Sequence, residues 1–125
     1  MSKRKTNRKG TVYTVELDET SRHAICVSLD LLHFTRSPSD ADLHLANLLT
    51  ARIEPLIPAP GFLELSFQKP ELKVIVRCLE LSLQHLDGKD VIHPCSGFSD
   101  TILPGELSVL APAFGVIYSA LSGLL

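Results

Sequence analysis

The chain lacks the spacings that announce chemistry. Neither G-x-S-x-G nor a glycine-rich phosphate loop occurs, which argues against nucleophile-elbow hydrolases and the phosphate-cradling nucleotide binders. No C-x2-C or H-x3-H pair occurs either, and structural zinc sites usually anchor on two such close pairs. The three cysteines, Cys26, Cys78 and Cys95, cannot all pair within one chain. No apolar run follows the basic N-terminus as a secretory signal requires, so cytoplasmic, reduced thiols are expected.

Charge is missing from both ends in different ways. The first nine residues contain no acid, while Lys3, Arg4, Lys5, Arg8 and Lys9 put five positive charges there. From Gly10 onward, seven of the twelve basic residues face all fourteen acidic ones. A basic arm over residues 1–10 on an acidic body is the footprint of a nucleic-acid or other polyanion contact, or of a solvated tail. No aromatic residue lies among residues 1–10, so any nucleic-acid contact is expected to be to phosphates.

The last nineteen residues, 107–125, carry no charge of either sign. Within them Leu107, Leu110, Phe114, Ile117, Leu121 and Leu124 recur at spacings of 3, 4, 3, 4 and 3, the seam of a helix that packs against another helix. Ala111, Gly115, Ser119 and Gly123 form a ladder of small residues four apart, which admits a close partner backbone. The seam is too short for a coiled coil by itself. A membrane tail anchor is disfavoured, because Pro112 and several serines and glycines dilute a segment that needs about twenty predominantly apolar residues.

Hydrophobic residues at 45% and charged residues at 21% are the balance of a packed domain, and 125 residues suffice for one core. Residues 11–17 alternate and are β-branched, predicting a strand. Asp18 or Thr20 then caps a helix to about Phe34, with Ile25, Leu29 and Leu32 on one face and Arg22, Cys26, Asp30 and His33 on another. Part of 19–33 also alternates, which leaves a strand open there. Ser37-Pro38-Ser39-Asp40 predicts a capped helix start with proline in the first turn, running to Arg52 or Ile53. Residues 55–60 read as a proline-rich connector between halves 11–54 and 61–125.

A second strand is predicted at 62–67. From Pro70-Glu71 a helix sets Leu72, Ile75, Leu79, Leu83 and Leu86 opposite Lys73, Arg77, Glu80, Gln84 and Asp87, and Gly88 ends it. A loop to about Gly105 precedes the C-terminal helix, expected to bend or begin at Pro112. The prediction is a helix-rich α+β fold with two short strands and about four helices in the order strand-helix-helix-strand-helix-helix. The halves overlay weakly at an offset of about fifty residues, with Cys26-x6-His33 falling over Cys78-x6-His85.

Chemistry has two candidate settings. Cys78, His85, His93 and Cys95 are four soft ligands without the close pairs zinc prefers. Cys95, in His93-Pro94-Cys95-Ser96-Gly97, has the parts of a nucleophile, with His85 or His93 as base and Asp87 or Asp90 to orient it. The zinc-deaminase elements H-x-E and P-C-x-x-C are incomplete here, and an ordinary loop is the simpler reading. Pro55-Leu56-Ile57-Pro58 matches a loose P-x-x-P pattern and reads as a stiff linker.

The first functional expectation is therefore a non-enzymatic interaction or regulatory protein, with no cofactor and no metal. It forms a homodimer or other homo-oligomer through the C-terminal seam, with the basic arm as a polyanion contact. The second is a module or inhibitor that docks onto a larger protein through the apolar helix or a strand edge. A Cys/His enzyme or metal site on the 87–104 loop comes third and a membrane-tethered protein last.

Overall fold

The computed structural model describes residues 12–35, 38–56, 63–93 and 104–125. Strands β1 (Val12–Leu17) and β2 (Leu63–Gln68) pair antiparallel, with Val12 opposite Gln68 and Leu17 opposite Leu63. Because side chains alternate along a strand, Tyr13, Val15, Leu17, Leu63, Leu65 and Phe67 turn toward the helices while Glu16 and Glu64 face solvent. On that outer face the Thr14 and Ser66 hydroxyls lie 3.1 Å apart.

Residues 19–33, which the pattern left between helix and strand, are helical: α1 spans Glu19–Leu31 and continues as a 3-10 turn over Leu32–Phe34. Asp18 caps it, accepting from the Ser21 backbone N–H at 2.7 Å. That bond holds the Asp18 carboxyl below its usual range. The expected split into two faces fails at Cys26, which is buried with every residue from Ala24 to Leu29. The reason is position, since α1 packs on each of the other three helices.

Helix α2 (Asp40–Ile53) starts two residues after Pro38. Ser39 is the cap, accepting from the Asp42 N–H at 3.0 Å, so Pro38 stands before the helix and not in its first turn. Its far end is closed by Arg22 of α1, whose guanidinium donates to the carbonyls of Ile53 and Glu54 at 3.5 and 3.0 Å. Helix α3 (Lys69–Leu86) opens with the Glu71 carboxylate accepting from the Gln68 N–H at 2.8 Å and ends before Gly88, whose φ of +83° suits glycine. Leu72, Ile75 and Leu79 are buried as the periodicity requires, and Lys73 and Arg77 are exposed. Val74, Cys78, Leu81 and Ser82 are buried as well, because α3, like α1, has neighbours on more than one side.

Helix α4 (Pro104–Ser122) passes through Pro112 without beginning there. Proline in the first turn lacks only an N–H that has no helical acceptor, whereas Pro112 removes one hydrogen bond inside the helix.

Among the described residues the order is β-α-α-β-α-α, a helix-rich α+β fold. The β-α-α order occurs twice along the chain, with the strands and first helices at the offset the overlay used, while α2 and α4 start 64 residues apart (104 − 40). Helices α1 and α3 start fifty residues apart and pack on each other, and α2 and α4 each touch both. One continuous core joins the helices and the inner face of the sheet. The stretch after α3 is tied back by a bridge between Thr35 and Ile92 and by the His93 N–H donating to the Phe34 carbonyl at 2.8 Å.

Candidate interaction surface

The C-terminal seam is filled from within the chain. Leu107, Leu110, Phe114, Ile117 and Leu121 are buried in the core, where α4 packs on α3 and α1. Only Leu124 of the six is exposed. Lys3, Arg4, Lys5, Arg8 and Lys9 lie outside the described residues, as do Cys95 and most of the proline-rich connector.

A second stripe runs beside the first. Val109, Ala113, Val116, Ala120 and Leu124 follow one another at spacings of 4, 3, 4 and 4. Val109 is 79% and Val116 71% exposed, the highest values among the large hydrophobic side chains described. A helix with charges puts them on the face away from the core, and residues 107–125 have none to put there. That absence was the available signal, because without charges the face turned away from the seam carries Val109 and Val116 with only serines such as Ser108 and Ser119 as its polar members. The small-residue ladder is not used for close packing at Gly115, where an added Cβ would meet nothing within 4 Å.

The C-terminal half of this stripe borders β1. Between them lies a groove of about 390 Å³, walled by Thr14 to Leu17 and Ser21 on one side and by Val116, Ala120 and Leu124 on the other. Glu16 is the one charged residue among those described that line it. Four consecutive strand residues line a groove only along the strand's edge, since alternate side chains point to opposite faces. Strand β1 is bonded to β2 along one edge, and among the described residues no strand pairs with the other. A bare edge of N–H and C=O groups is a template for another chain.

A larger cleft of about 430 Å³ lies where α2 begins beside α3, lined by Thr35, Ser39, Asp42, Arg77 and Asp90 among others. Three of its polar side chains have partners in the fold. Ser39 caps α2, Thr35 donates to the Leu32 carbonyl at 2.8 Å, and Arg77 is 3.2 Å from the Glu80 carboxylate. No cysteine or histidine among the described residues lines it.

Thiol chemistry is suppressed where it can be seen. Cys26 and Cys78 are free and buried, and burial pushes their thiols up to about 11 and about 12. A thiolate is the reactive form, so burial disfavours the reactive form of both at neutral pH. Among the described residues no three His, Cys, Asp or Glu side chains form a group that could hold a metal ion, and no helix is long and apolar enough to cross a membrane.

Compared with known proteins, the chain matches no family model, no curated relative and no solved structure.

Proposed function

We propose that this chain is a small non-enzymatic protein-docking module whose docking surface is the outer stripe of α4 together with the adjoining edge of β1. The exposure of Val109 and Val116 on a helix that carries no charge from Leu107 onward is the observation that carries the reading. An apolar stripe left open beside an unpaired strand edge is costly in water and useful in a complex. The burial of the Cys26 and Cys78 thiols and the structural partners of Ser39, Thr35 and Arg77 in the larger cleft favour binding over catalysis.

The test is selection of displayed random peptides on the full-length chain, followed by binding to a Val116→Asp, Ala120→Asp variant. Both positions are exposed, so the variant is expected to fold. Binding lost in the variant supports the reading, and ligands indifferent to it contradict it.

Self-association is the second reading, favoured by the position of Val109, which lies outside the groove on the N-terminal half of α4. Two uncharged stripes can face each other across a two-fold axis without like-charge repulsion. Such a dimer would bring two basic arms together and raise avidity for a polyanion. Sedimentation equilibrium over a wide concentration range decides it, since a mass of one chain throughout removes the dimer.

A further inference from the structure

The two β-α-α units differ in charge at one corner. At the offset of fifty, Leu17 corresponds to Phe67 and Ser21 to Glu71. In the second half this corner is closed by Arg52 of α2, whose guanidinium lies 5.3 Å from the Phe67 ring centre and 3.2 Å from the Glu71 carboxylate. A charge placed beside a strand edge discourages a further strand. In the first half α4 holds the corresponding place with Val116, Ala120 and Leu124, none of them charged, and the groove stands open. Among the described residues a charge stands at the β2 corner beside Phe67, and none from α4 stands at the β1 corner.

Resting on the docking reading above, we infer that the occupant of this groove is an extended segment of another protein, added to the free edge of β1 as a third strand. Two features select a strand. The wall is four consecutive residues of β1 on the side that no described strand pairs, where a strand's backbone donors and acceptors are satisfied in series only by another extended backbone. A docked helix would leave that row unpaired because its own N–H and C=O groups are bonded internally. The floor is an uncharged apolar stripe beside the edge, so a strand lying there presents an apolar residue at every second position. Charge complementarity narrows the chemistry further. Glu16 is the lone charge on the rim, so the segment carries a lysine or arginine beside it and no acid on its inward face.

A two-stranded sheet is marginal unless it is covered or extended. Adding a strand to β1 also keeps Tyr13 and Val15 on the core side, because a register that preserves faces is enforced wherever one face is buried.

The experiment combines peptide selection with amide hydrogen exchange on the full-length protein. The probes are displayed random peptides of about nine residues, long enough to span β1. Selected ligands are expected to alternate apolar and polar residues and to contain a basic one. With a synthetic copy of such a peptide bound, amides at alternate positions within residues 12–17, those pointing away from β2, should exchange about tenfold more slowly. Ligands with helical apolar spacing, lost on Val116→Asp but leaving the β1 amides unchanged, would overturn strand addition while leaving the docking reading intact. Ligands indifferent to Val116→Asp would remove both. Slowed β1 exchange that rises with the protein's own concentration, together with a doubled mass and no peptide, would assign the edge to a second copy and overturn the inferred partner.

Discussion

Ser28 of α1 and Ser82 of α3 are hydrogen-bonded at 3.0 Å with both residues completely buried, and the Ser82 hydroxyl is also 3.0 Å from the Cys78 carbonyl. The contact fastens the two central helices at a point where an unpaired hydroxyl would be costly. Ser82→Ala and Ser28→Ala are each expected to lower stability by about 1–2 kcal/mol. The double variant should lose less than the sum, because removing both partners leaves no orphan. Urea denaturation of the three variants checks this.

The ends of α1 and α2 meet through Arg22. Replacing Arg22 with Met keeps part of its stem and removes the donors to the Ile53 and Glu54 carbonyls, and an expected loss of about 1–3 kcal/mol follows for charged hydrogen bonds of this kind. Asp18→Ala removes the cap at the start of α1 and should cost about 1 kcal/mol at neutral pH. The Asp18 carboxyl sits below its usual range in the folded chain. Its contribution is therefore present above the unfolded value and fades as pH falls through the folded one. The gap between wild type and Asp18→Ala should narrow in acid, and thermal melts at neutral and acid pH measure it.

Cys26 and Cys78 should react with a thiol reagent only as fast as the chain opens, with rates rising steeply in sub-denaturing urea. Burial holds them at about 11 and about 12, above the ordinary value of 9.0. The linkage runs opposite to that of Asp18. Stability from the neutral thiols is complete below about 9 and is lost as pH rises through the folded values. Rapid modification of either thiol in the native protein at neutral pH would contradict their burial.

Deleting residues 1–9 removes Lys3, Arg4, Lys5, Arg8 and Lys9. If these residues meet phosphates, melting should stay nearly unchanged while a strongly salt-dependent affinity for DNA or RNA disappears. A full-length protein that ignores both nucleic acids at low salt rules out the polyanion contact.

Much of the fold was legible because local chemistry and packing agree. Alternation marked both strands to within a residue, Asp18 announced the start of α1, and Leu72, Ile75 and Leu79 predicted the buried side of α3. What periodicity cannot report is who covers a face. The seam from Leu107 to Leu121 reads the same whether its partner lies in another chain or in α1 and α3. Burial all around α1 was hidden for a related reason, since Cys26 and Ser28 look like polar-face residues until neighbours arrive on that side. The Ser28 and Ser82 contact depends on helix crossing and leaves no pattern in sequence. The open groove was partly legible, in the absence of charge from Leu107 onward and in the reading of only two strands, but its asymmetry depends on where Arg52 falls in three dimensions.

The account turns on the division of α4 into a buried seam and an open stripe, and equilibrium urea denaturation of Phe114→Asp beside Val116→Asp tests it most directly. Phe114 is fully buried and Val116 is 71% exposed. The first substitution should therefore cost about 4 kcal/mol or abolish folding, and the second should stay within about 0.5 kcal/mol of wild type. A folded Phe114→Asp protein of undiminished stability, or a Val116→Asp protein as unstable as its neighbour, would contradict the assignment of these two faces.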